Sequence, residues 1–198
     1  MARALRRIGT IVLSVIVAVV SFAAIVVAGI VQSGQPSSAP ISPAEPLLRT
    51  AQHLDTTAVA GTITVAVVLG QSGTDAADAL APYEVLASSA AFTVYTVSAS
   101  TQPAPLDGGM AIVPDYTFAD VESGAAPAPD LIVVPAVNLP DDPEEHATRA
   151  FIASQYAAGA RVLGICAGSR LLAASGILDG TNATSHWSRI AALEESRP

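Results

Sequence analysis

The sequence predicts an α/β fold in which an open, mostly parallel sheet carries helices on both faces. From Thr62 onward, short apolar runs rich in β-branched residues alternate with helix-type segments, which is the pattern of a parallel sheet covered by helices. Ahead of them, 24 residues from Ile8 to Val31 contain no charged side chain, enough helix to cross a hydrocarbon core of about 30 Å. We therefore expect a single transmembrane helix followed by one globular domain.

The N-terminal segment, residues 1–34, is predicted to be a membrane anchor with its transmembrane helix at about 8–31. Arg3, Arg6 and Arg7 precede the apolar run, and the positive-inside rule places such a cluster in the cytoplasm. The chain is then a single-pass protein of the cell membrane with an extracytoplasmic globular domain. A cleaved signal peptide is the alternative, although its apolar region is usually only about 7–15 residues long.

Residues 35–61 are predicted to be a linker, because four prolines lie there among Ser, Ala and Gln: Pro36, Pro40, Pro43 and Pro46. Such a composition is typical of an extended tether. The globular domain then spans 62–198.

The first half of the domain is predicted to contain three strands and one helix. Ile63–Leu69 is an unbroken apolar run of the kind that is buried on both faces of a sheet. Pro82 suits the first position of a helix that continues from Tyr83 to Ala91. Two further strands are expected, at Phe92–Ala99 and, after the Asp107-Gly108-Gly109 turn, at Met110–Val113.

The second half begins with a buried strand at Leu131–Val134. Pro143–Ala158 is predicted to be a helix, since acidic residues occupy its first turn and Gly159 ends it. Arg161–Ile165 is expected to be a strand that leads directly into a helix at Ser169–Ser175.

Cys166 is the only cysteine of the chain and lies in Gly164-Ile165-Cys166-Ala167-Gly168, between that strand and that helix. A strand, a tight turn flanked by small residues and a helix make up a nucleophile elbow. The glycines would allow the backbone angles of the turn, and the helix N-terminus would favour the thiolate. A small buried cysteine that merely fills a strand–helix junction is the alternative.

The composition excludes several classes of function. The chain has no lysine, which removes Schiff-base chemistry, and beyond Arg7 six arginines face seventeen acidic residues, a balance of −11. Such a surface repels nucleic acid, so no nucleic-acid partner is expected. The three histidines are scattered at His53, His146 and His186, so we predict no metal site, and no cofactor is expected.

Ligands of parallel sheets sit at the carboxyl ends of the strands, so the loop after the first strand should share an edge with the elbow. This predicted loop, Gly70–Ala81, contains Asp75 and Asp78, and Glu84 follows on the next helix. A carboxyl group beside a thiol can position it and exchange a proton with it. Helix capping is the alternative role for Asp78, and a favourable first-turn charge is the alternative for Glu84.

Four segments resemble the ThiJ/PfpI family: Gly73–Leu86 (GTDAADALAPYEVL), Asp130–Pro135 (DLIVVP), Gly164–Ser169 (GICAGS) and Gly176–Trp187 (GILDGTNATSHW). This family forms the parkinsonism-associated deglycase superfamily within the class I glutamine amidotransferase-like fold. The resemblance is greatest to isonitrile hydratases and to the ligand domains of AraC-type regulators. It implies a flavodoxin-like sheet and a small-molecule ligand or substrate.

The resemblance makes Cys166 the nucleophile and Asp78 the acid that contacts its sulfur. It also implies that the backbone N–H of Ala167 contributes to an oxyanion site, and that His186 lies near the thiol. Tyr83 and Glu84 are expected in the pocket wall.

The sequence departs from the family pattern at three places. Many members have two glycines whose amides help to form the oxyanion site, where this chain has Ala136 and Val137; their side chains would narrow the pocket or turn the amides away. Protease-like members resemble Gly-x-Cys-His-Gly, but Ala167 follows the cysteine here, which disfavours proteolysis. Only 32 residues follow Cys166, which disfavours amidotransfer, because amidotransferases place a His and Glu pair far downstream.

The family domain normally continues beyond the segment that ends at Trp187. We therefore expect the C-terminal part of the domain to be missing from this chain and apolar sheet surface to be exposed. A homodimer is one option for the assembly.

Two functional hypotheses follow. The first is a membrane-tethered, cysteine-dependent hydrolase or lyase, in which Cys166 attacks a small electrophile such as an isonitrile or a reactive carbonyl and Asp78 handles the proton. The second is a ligand- or redox-sensing domain that uses the same pocket without turnover.

Overall fold

The computed structural model describes residues 17–28 and 61–196. Residues 17–28 form helix α1, whose side chains are exposed. They are the described part of the predicted span at 8–31; the rest of that span and almost all of the linker at 35–61 lie outside the described residues. Within the described ranges, no helix has both the length and the hydropathy that crossing a bilayer requires.

The domain is built on a five-stranded sheet in which every neighbouring pair of strands is parallel. Its strands are β1 (Ile63–Val68), β2 (Phe92–Ser98), β5 (Tyr116–Thr117), β6 (Leu131–Val134) and β7 (Arg161–Gly164). The order across the sheet is β5-β2-β1-β6-β7, so the first strand is central. A separate antiparallel pair joins β3 (Ala104–Pro105) to β4 (Ala111–Ile112).

The helices are α2 (Ala76–Ala87), α3 (Phe118–Ser123), α4 (His146–Ala157), α5 (Gly168–Ala174) and α6 (Ile190–Ser196). They cover both faces of the sheet, because the side chains of β1 alternate between two buried clusters. Ala66 and Val68 pack in a cluster with Phe118, Phe151 and Leu171 from α3, α4 and α5. On the opposite face, β1 side chains pack against Ala79 of α2. The predicted α/β fold with a mostly parallel sheet is confirmed.

Helix α2 begins six residues earlier than predicted, so Pro82 lies inside it. The reason is Asp75, whose carboxylate accepts hydrogen bonds from the N–H groups of Ala77 and Asp78 and so caps the helix. The loop after β1 is correspondingly shorter, and Asp78 lies in the first helical turn rather than in a loop.

The strand predicted at Met110–Val113 is reduced to the two residues of β4. Pro105 in β3 and Pro114 just beyond β4 have no N–H to donate, which limits the length of this ladder. β5 was not predicted, since two residues are too few to show a pattern.

Strand β7 forms one edge of the sheet. Its Val162 packs against the larger buried cluster, whereas Leu163 is 41% exposed. Apolar surface is therefore exposed at this edge.

Candidate active site

Cys166 occupies the turn between β7 and α5, and its side chain is exposed. Its φ of 55° lies in the left-handed region, and it is the one non-glycine residue with positive φ among those described. The turn is held by the N–H of Gly168, which donates to the carbonyl of Ile165 (2.7 Å), and by the N–H of His186, which donates to the carbonyl of Cys166 (3.2 Å). The strand–turn–helix geometry of an elbow is present, and the alternative of a buried filler cysteine is wrong.

The flanking glycines do not supply the unusual backbone angle, contrary to expectation, because Cys166 itself adopts it. Gly168 instead permits a close approach between two backbones. A Cβ at this position would overlap the backbone oxygen of Val134 and would lie 2.9 Å from the backbone oxygen of Pro135. Glycine at 168 therefore lets the start of α5 pack directly on the end of β6.

Asp78 faces the cysteine across the edge of the sheet. Hydrogen bonding between the Asp78 carboxylate and the Cys166 thiol lowers the pKa of Asp78 and raises that of Cys166, and the N–H of Ala136 donates to Oδ2 of the same carboxylate at 3.2 Å. Asp75 fixes this arrangement twice, because its side chain caps α2 and its N–H donates to the carbonyl of Ala136 (2.9 Å). The cap is thus Asp75, and the capping alternative for Asp78 is wrong.

Burial raises the pKa of Asp78 above its ordinary value, and the negative charge of Asp75 adds to this rise. Hydrogen bonds from the Ala136 N–H and from Cys166, together with the charge of His186, offset part of it. A carboxylate with a raised pKa is a stronger base than an ordinary aspartate. Asp78 is therefore suited to accept the proton of the thiol to which it is bonded.

Although Cys166 is exposed, partial desolvation of its thiol by the surrounding atoms raises the pKa of that thiol, and the charges of Asp78 and Asp75 raise it further. The N–H of Ala167, which donates to the sulfur, acts in the opposite direction. The sequence-based expectation of a favoured thiolate is therefore not met, because desolvation and two nearby carboxylates raise the pKa of the thiol. The resting proton stays on sulfur, within reach of Asp78.

Ala136 and Val137, which lie where the family resemblance leads us to expect two glycines, differ in what they contact. The N–H of Ala136 is turned towards Asp78 and donates to it. The Val137 side chain is buried in the core, where a Cβ on Gly70 would lie 2.6 Å from its Cγ1. Val137 therefore does not narrow the site, and the N–H of Ala167 is the amide that contacts the sulfur.

His186 contacts the elbow mainly through its backbone, while its ring Nδ1 lies 2.9 Å from Oγ of Ser188. Its charge nevertheless lowers the pKa of Asp78, so the ring lies within electrostatic reach of that carboxylate. The structure brings Cys166, Asp78 and His186 together with the N–H groups of Ala136 and Ala167.

Tyr83 and Glu84 are not joined to this group by any hydrogen bond in the described part of the chain. Tyr83 packs against the α2-side cluster, and burial followed by the charge of Asp115 raises its pKa. Asp115 bonds to Thr96 of β2, on the other side of the central strand from β7. Glu84 is exposed, and the pocket role of both residues stays a prediction.

A sequence profile described as the DJ-1/PfpI family matches residues 63–197. The chain belongs to the DJ-1/PfpI family. Isonitrile hydratase of Pseudomonas putida is 36% identical over 111 residues, which cover 56% of this chain and 46% of the hydratase. The HTH-type transcriptional regulator GbdR of Pseudomonas aeruginosa is 32% identical over 106 residues, covering 52% of this chain and 27% of the regulator.

Among solved structures, a THiJ/PfpI family protein from Pseudomonas syringae superposes with a TM-score of 0.58 at 27% identity, covering 82% of this chain and 63% of that protein. This DJ-1/PfpI chain thus spans about half the length of the hydratase and about a quarter of the regulator it matches.

Two residues of this DJ-1/PfpI domain have roles near the site that the sequence did not predict. Asp75 was placed in the loop without its role as the helix cap, and Glu145 was not considered. Glu145 is completely buried, although it follows Asp141, Asp142 and Glu144 in a stretch that resembles a solvated surface. Helical spacing could have revealed it, because Glu145 is in register with the buried side chains of α4: Thr148, Ile152 and Gln155. Within the described residues, no three His, Cys, Asp or Glu side chains are grouped so that they could hold a metal ion.

Proposed function

We propose that this DJ-1/PfpI protein is a cysteine-dependent hydrolase or lyase that acts on a small electrophile, an isonitrile or a reactive carbonyl, and that its N-terminal segment anchors it in the membrane. One arrangement carries the catalytic proposal: Cys166 is exposed in a strand–turn–helix elbow with φ 55°, and Asp78 is near enough for its charge to raise the pKa of the thiol. We infer that Cys166 is the nucleophile and that Asp78 is its proton acceptor.

For an isonitrile, the reaction is a hydration. The sulfur of Cys166 bonds to the terminal carbon while the thiol proton passes to Asp78 and then to that same carbon, which gives a thioimidate with a carbon–nitrogen double bond. Water then adds to this carbon, with one of its protons passing to the nitrogen through Asp78, and the carbon–sulfur bond breaks as the remaining hydroxyl proton returns to the sulfur through Asp78. The product is an N-substituted formamide, and no redox partner is needed.

The charge that develops during this sequence has donors close by. Hydrogen bonding from the N–H of Ala167 lowers the pKa of the Cys166 thiol, and the charge of His186 lowers the pKa of Asp78. The similarity to an isonitrile hydratase supports this substrate class.

The test uses the full chain purified in detergent and incubated with a small alkyl isonitrile. Formation of the formamide is followed by NMR, with methylglyoxal as the probe for carbonyl substrates. We expect turnover of one class that is lost in Cys166→Ala and reduced in Asp78→Asn. Failure of both classes to react with the folded wild-type chain would contradict the enzymatic proposal.

A second candidate is a ligand- or redox-sensing domain related to those of AraC-type regulators. Two observations favour it: the raised pKa of Cys166, and the engagement of the Ala136 N–H by Asp78, which removes a donor from the oxyanion site. The similarity to GbdR fits this candidate as well. Saturable binding of a small molecule without product formation would favour sensing over catalysis.

The membrane anchor, the extracytoplasmic domain and a homodimer are further parts of the proposal. The apolar run from Ile8 to Val31 and the preceding arginines support the anchor. Resistance of the chain to carbonate extraction, and accessibility of the domain to protease added outside the cell, are the expected results.

A further inference from the structure

Glu145 is a completely buried carboxyl group that holds the backbone after β1. Its Oε1 accepts three hydrogen bonds: from the N–H of Gln71 (2.8 Å), from the N–H of Ser72 (2.7 Å) and from the hydroxyl of Ser72 (2.7 Å). Its Oε2 is buried without a hydrogen-bond partner. A buried polar side chain with three donors on one oxygen fixes the position of whatever carries those donors.

The segment that Glu145 holds leads directly to the site. Five residues beyond Gln71 the helix α2 begins, with Asp75 as its cap and Asp78 in its first turn. No side chain could replace Gly70 without movement, since a Cβ there would lie 2.7 Å from Oε1 of Glu145. The start of α2 is thus packed against Glu145 through the backbone of residues 70–72.

The same segment is joined to the loop after β6. The N–H of Leu139 donates to the Ser72 hydroxyl (3.2 Å), the N–H of Asn138 donates to the carbonyl of Gly73 (3.0 Å), and the Asn138 side chain donates to the carbonyl of Ser72 (3.1 Å). That loop contains Ala136, whose N–H holds Asp78. Glu145 therefore touches the point at which the two loops around Asp78 meet.

We propose that Glu145 is a positioning residue that sets the placement of Asp78 against the Cys166 sulfur. It touches neither the thiol nor the substrate, and it acts through Ser72 and the start of α2. The effect of Glu145 on turnover rests on the proposed cysteine chemistry. Its effect on the pKa of the Cys166 thiol does not depend on any substrate.

The test is the pH dependence of the iodoacetamide alkylation rate of Cys166 in the full chain. In Glu145→Ala the carboxylate of Asp78 loses its fixed place beside the sulfur, so the apparent pKa of the thiol falls towards its ordinary value, and alkylation at pH 7 accelerates by roughly threefold. Glu145→Gln retains an acceptor oxygen at the Oε1 position and should restore the wild-type profile. Ser72→Ala should shift the profile in the same direction as Glu145→Ala, by less.

Thr148→Val is the matched control, because Thr148 is as buried as Glu145, lies in the first turn of the helix that follows it, and has a hydroxyl without a hydrogen-bond partner. Its alkylation profile should equal that of the wild type. Should Glu145→Ala fail to fold, Ser72→Ala alone provides the comparison with Thr148→Val.

A double variant separates positioning from general loosening. In an Asp78→Asn background, Glu145→Ala should leave the alkylation profile unchanged, since the group it positions no longer carries a charge. An equal shift in both backgrounds, or a wild-type profile in folded Glu145→Ala and Ser72→Ala, overturns the proposal. These outcomes differ from a failure of the proposed function, which shows as an absence of turnover in a wild-type chain whose alkylation profile still responds to Glu145.

Discussion

The side chain of Val137 packs directly against the backbone of Gly70, since a Cβ on Gly70 would lie 2.6 Å from Cγ1 of Val137. Val137, which lies where the family resemblance leads us to expect a glycine, is thus accommodated in the core by the absence of a side chain at residue 70. Its side chain packs in the core and does not fill the site itself.

Gly70→Ala should lower the free energy of unfolding by about 1–3 kcal/mol, because the added methyl group overpacks this contact. Val137→Ala in the same chain should recover about 1 kcal/mol of this loss, since the two changes share one volume. Urea denaturation of the two single variants and the double variant measures the coupling. Strictly additive losses would show that the two residues do not compete for space.

Asp78→Asn should move two observables in opposite directions. Removal of the neighbouring negative charge lowers the pKa of Cys166, so alkylation at pH 7 becomes roughly threefold faster. Turnover of an accepted substrate should nevertheless fall by about 100-fold, because the proton acceptor is lost. Alkylation kinetics and product formation are measured on the same preparation, with Asp179→Asn as a surface control. Parallel losses in both would point to damage to the fold instead.

Cys166→Gly should be more stable than Cys166→Ala by about 1 kcal/mol, although both lack the thiol. The backbone of residue 166 lies at φ 55°, where a Cβ is unfavourable and glycine is not. Thermal or urea unfolding of the two variants provides the comparison. Equal stability would mean that the elbow carries no backbone strain at this residue.

The capping box of α3 predicts a pH-dependent contribution to stability. Asp120 accepts hydrogen bonds from the hydroxyl and N–H of Thr117, which lower the pKa of Asp120 below its ordinary value. A carboxylate with a depressed folded-state pKa stabilises the fold above its unfolded pKa of about 3.9. That contribution is lost as the pH falls through the folded pKa.

Thr117→Ala should therefore lower the unfolding free energy at pH 7 by about 1 kcal/mol. The difference between wild type and Asp120→Asn should shrink as the pH is reduced from 5 to below the folded pKa of Asp120. Urea midpoints at a series of pH values record this, and a difference that is constant with pH would refute the assignment.

The sequence predicts the three inner strands β1, β2 and β6 well because they are mostly buried apolar runs. The predicted strand at Leu131–Val134 has the bounds that the structure shows. A short apolar run with β-branched residues is typical of a buried strand. The start of α2 was predicted wrongly because Pro82 was taken as a first-turn residue, whereas the capping side chain of Asp75 sets the boundary. A local cap outweighed the preference of a proline.

Within the site, a motif resemblance predicts the pairing of Cys166 with Asp78, and the charge of Asp78 raises the pKa of the Cys166 thiol. The protonation preference of the thiol was not predictable in this way. It depends on burial and on two carboxylates that approach from a segment about ninety residues earlier in the chain, and such distances are set only by the folded sheet. The burial of Glu145 likewise follows from the orientation of α4. It was not expected because the acidic residues around Glu145 resemble a solvent-exposed surface.

The location of Asp78 on a capped helix, and not on a loop, has a consequence for how molecules are selected. A carboxylate in the first turn of α2 has its position set by the capped helix. We therefore expect that it does not move towards an incoming substrate. In the proposed reaction, a substrate is therefore selected by its size and shape. Its electrophilic carbon must reach the Cys166 sulfur while the atom that takes up the proton lies near the Asp78 carboxylate. Slim, linear molecules satisfy that condition more readily than branched ones, so rates should decline steadily with the bulk next to the reacting carbon.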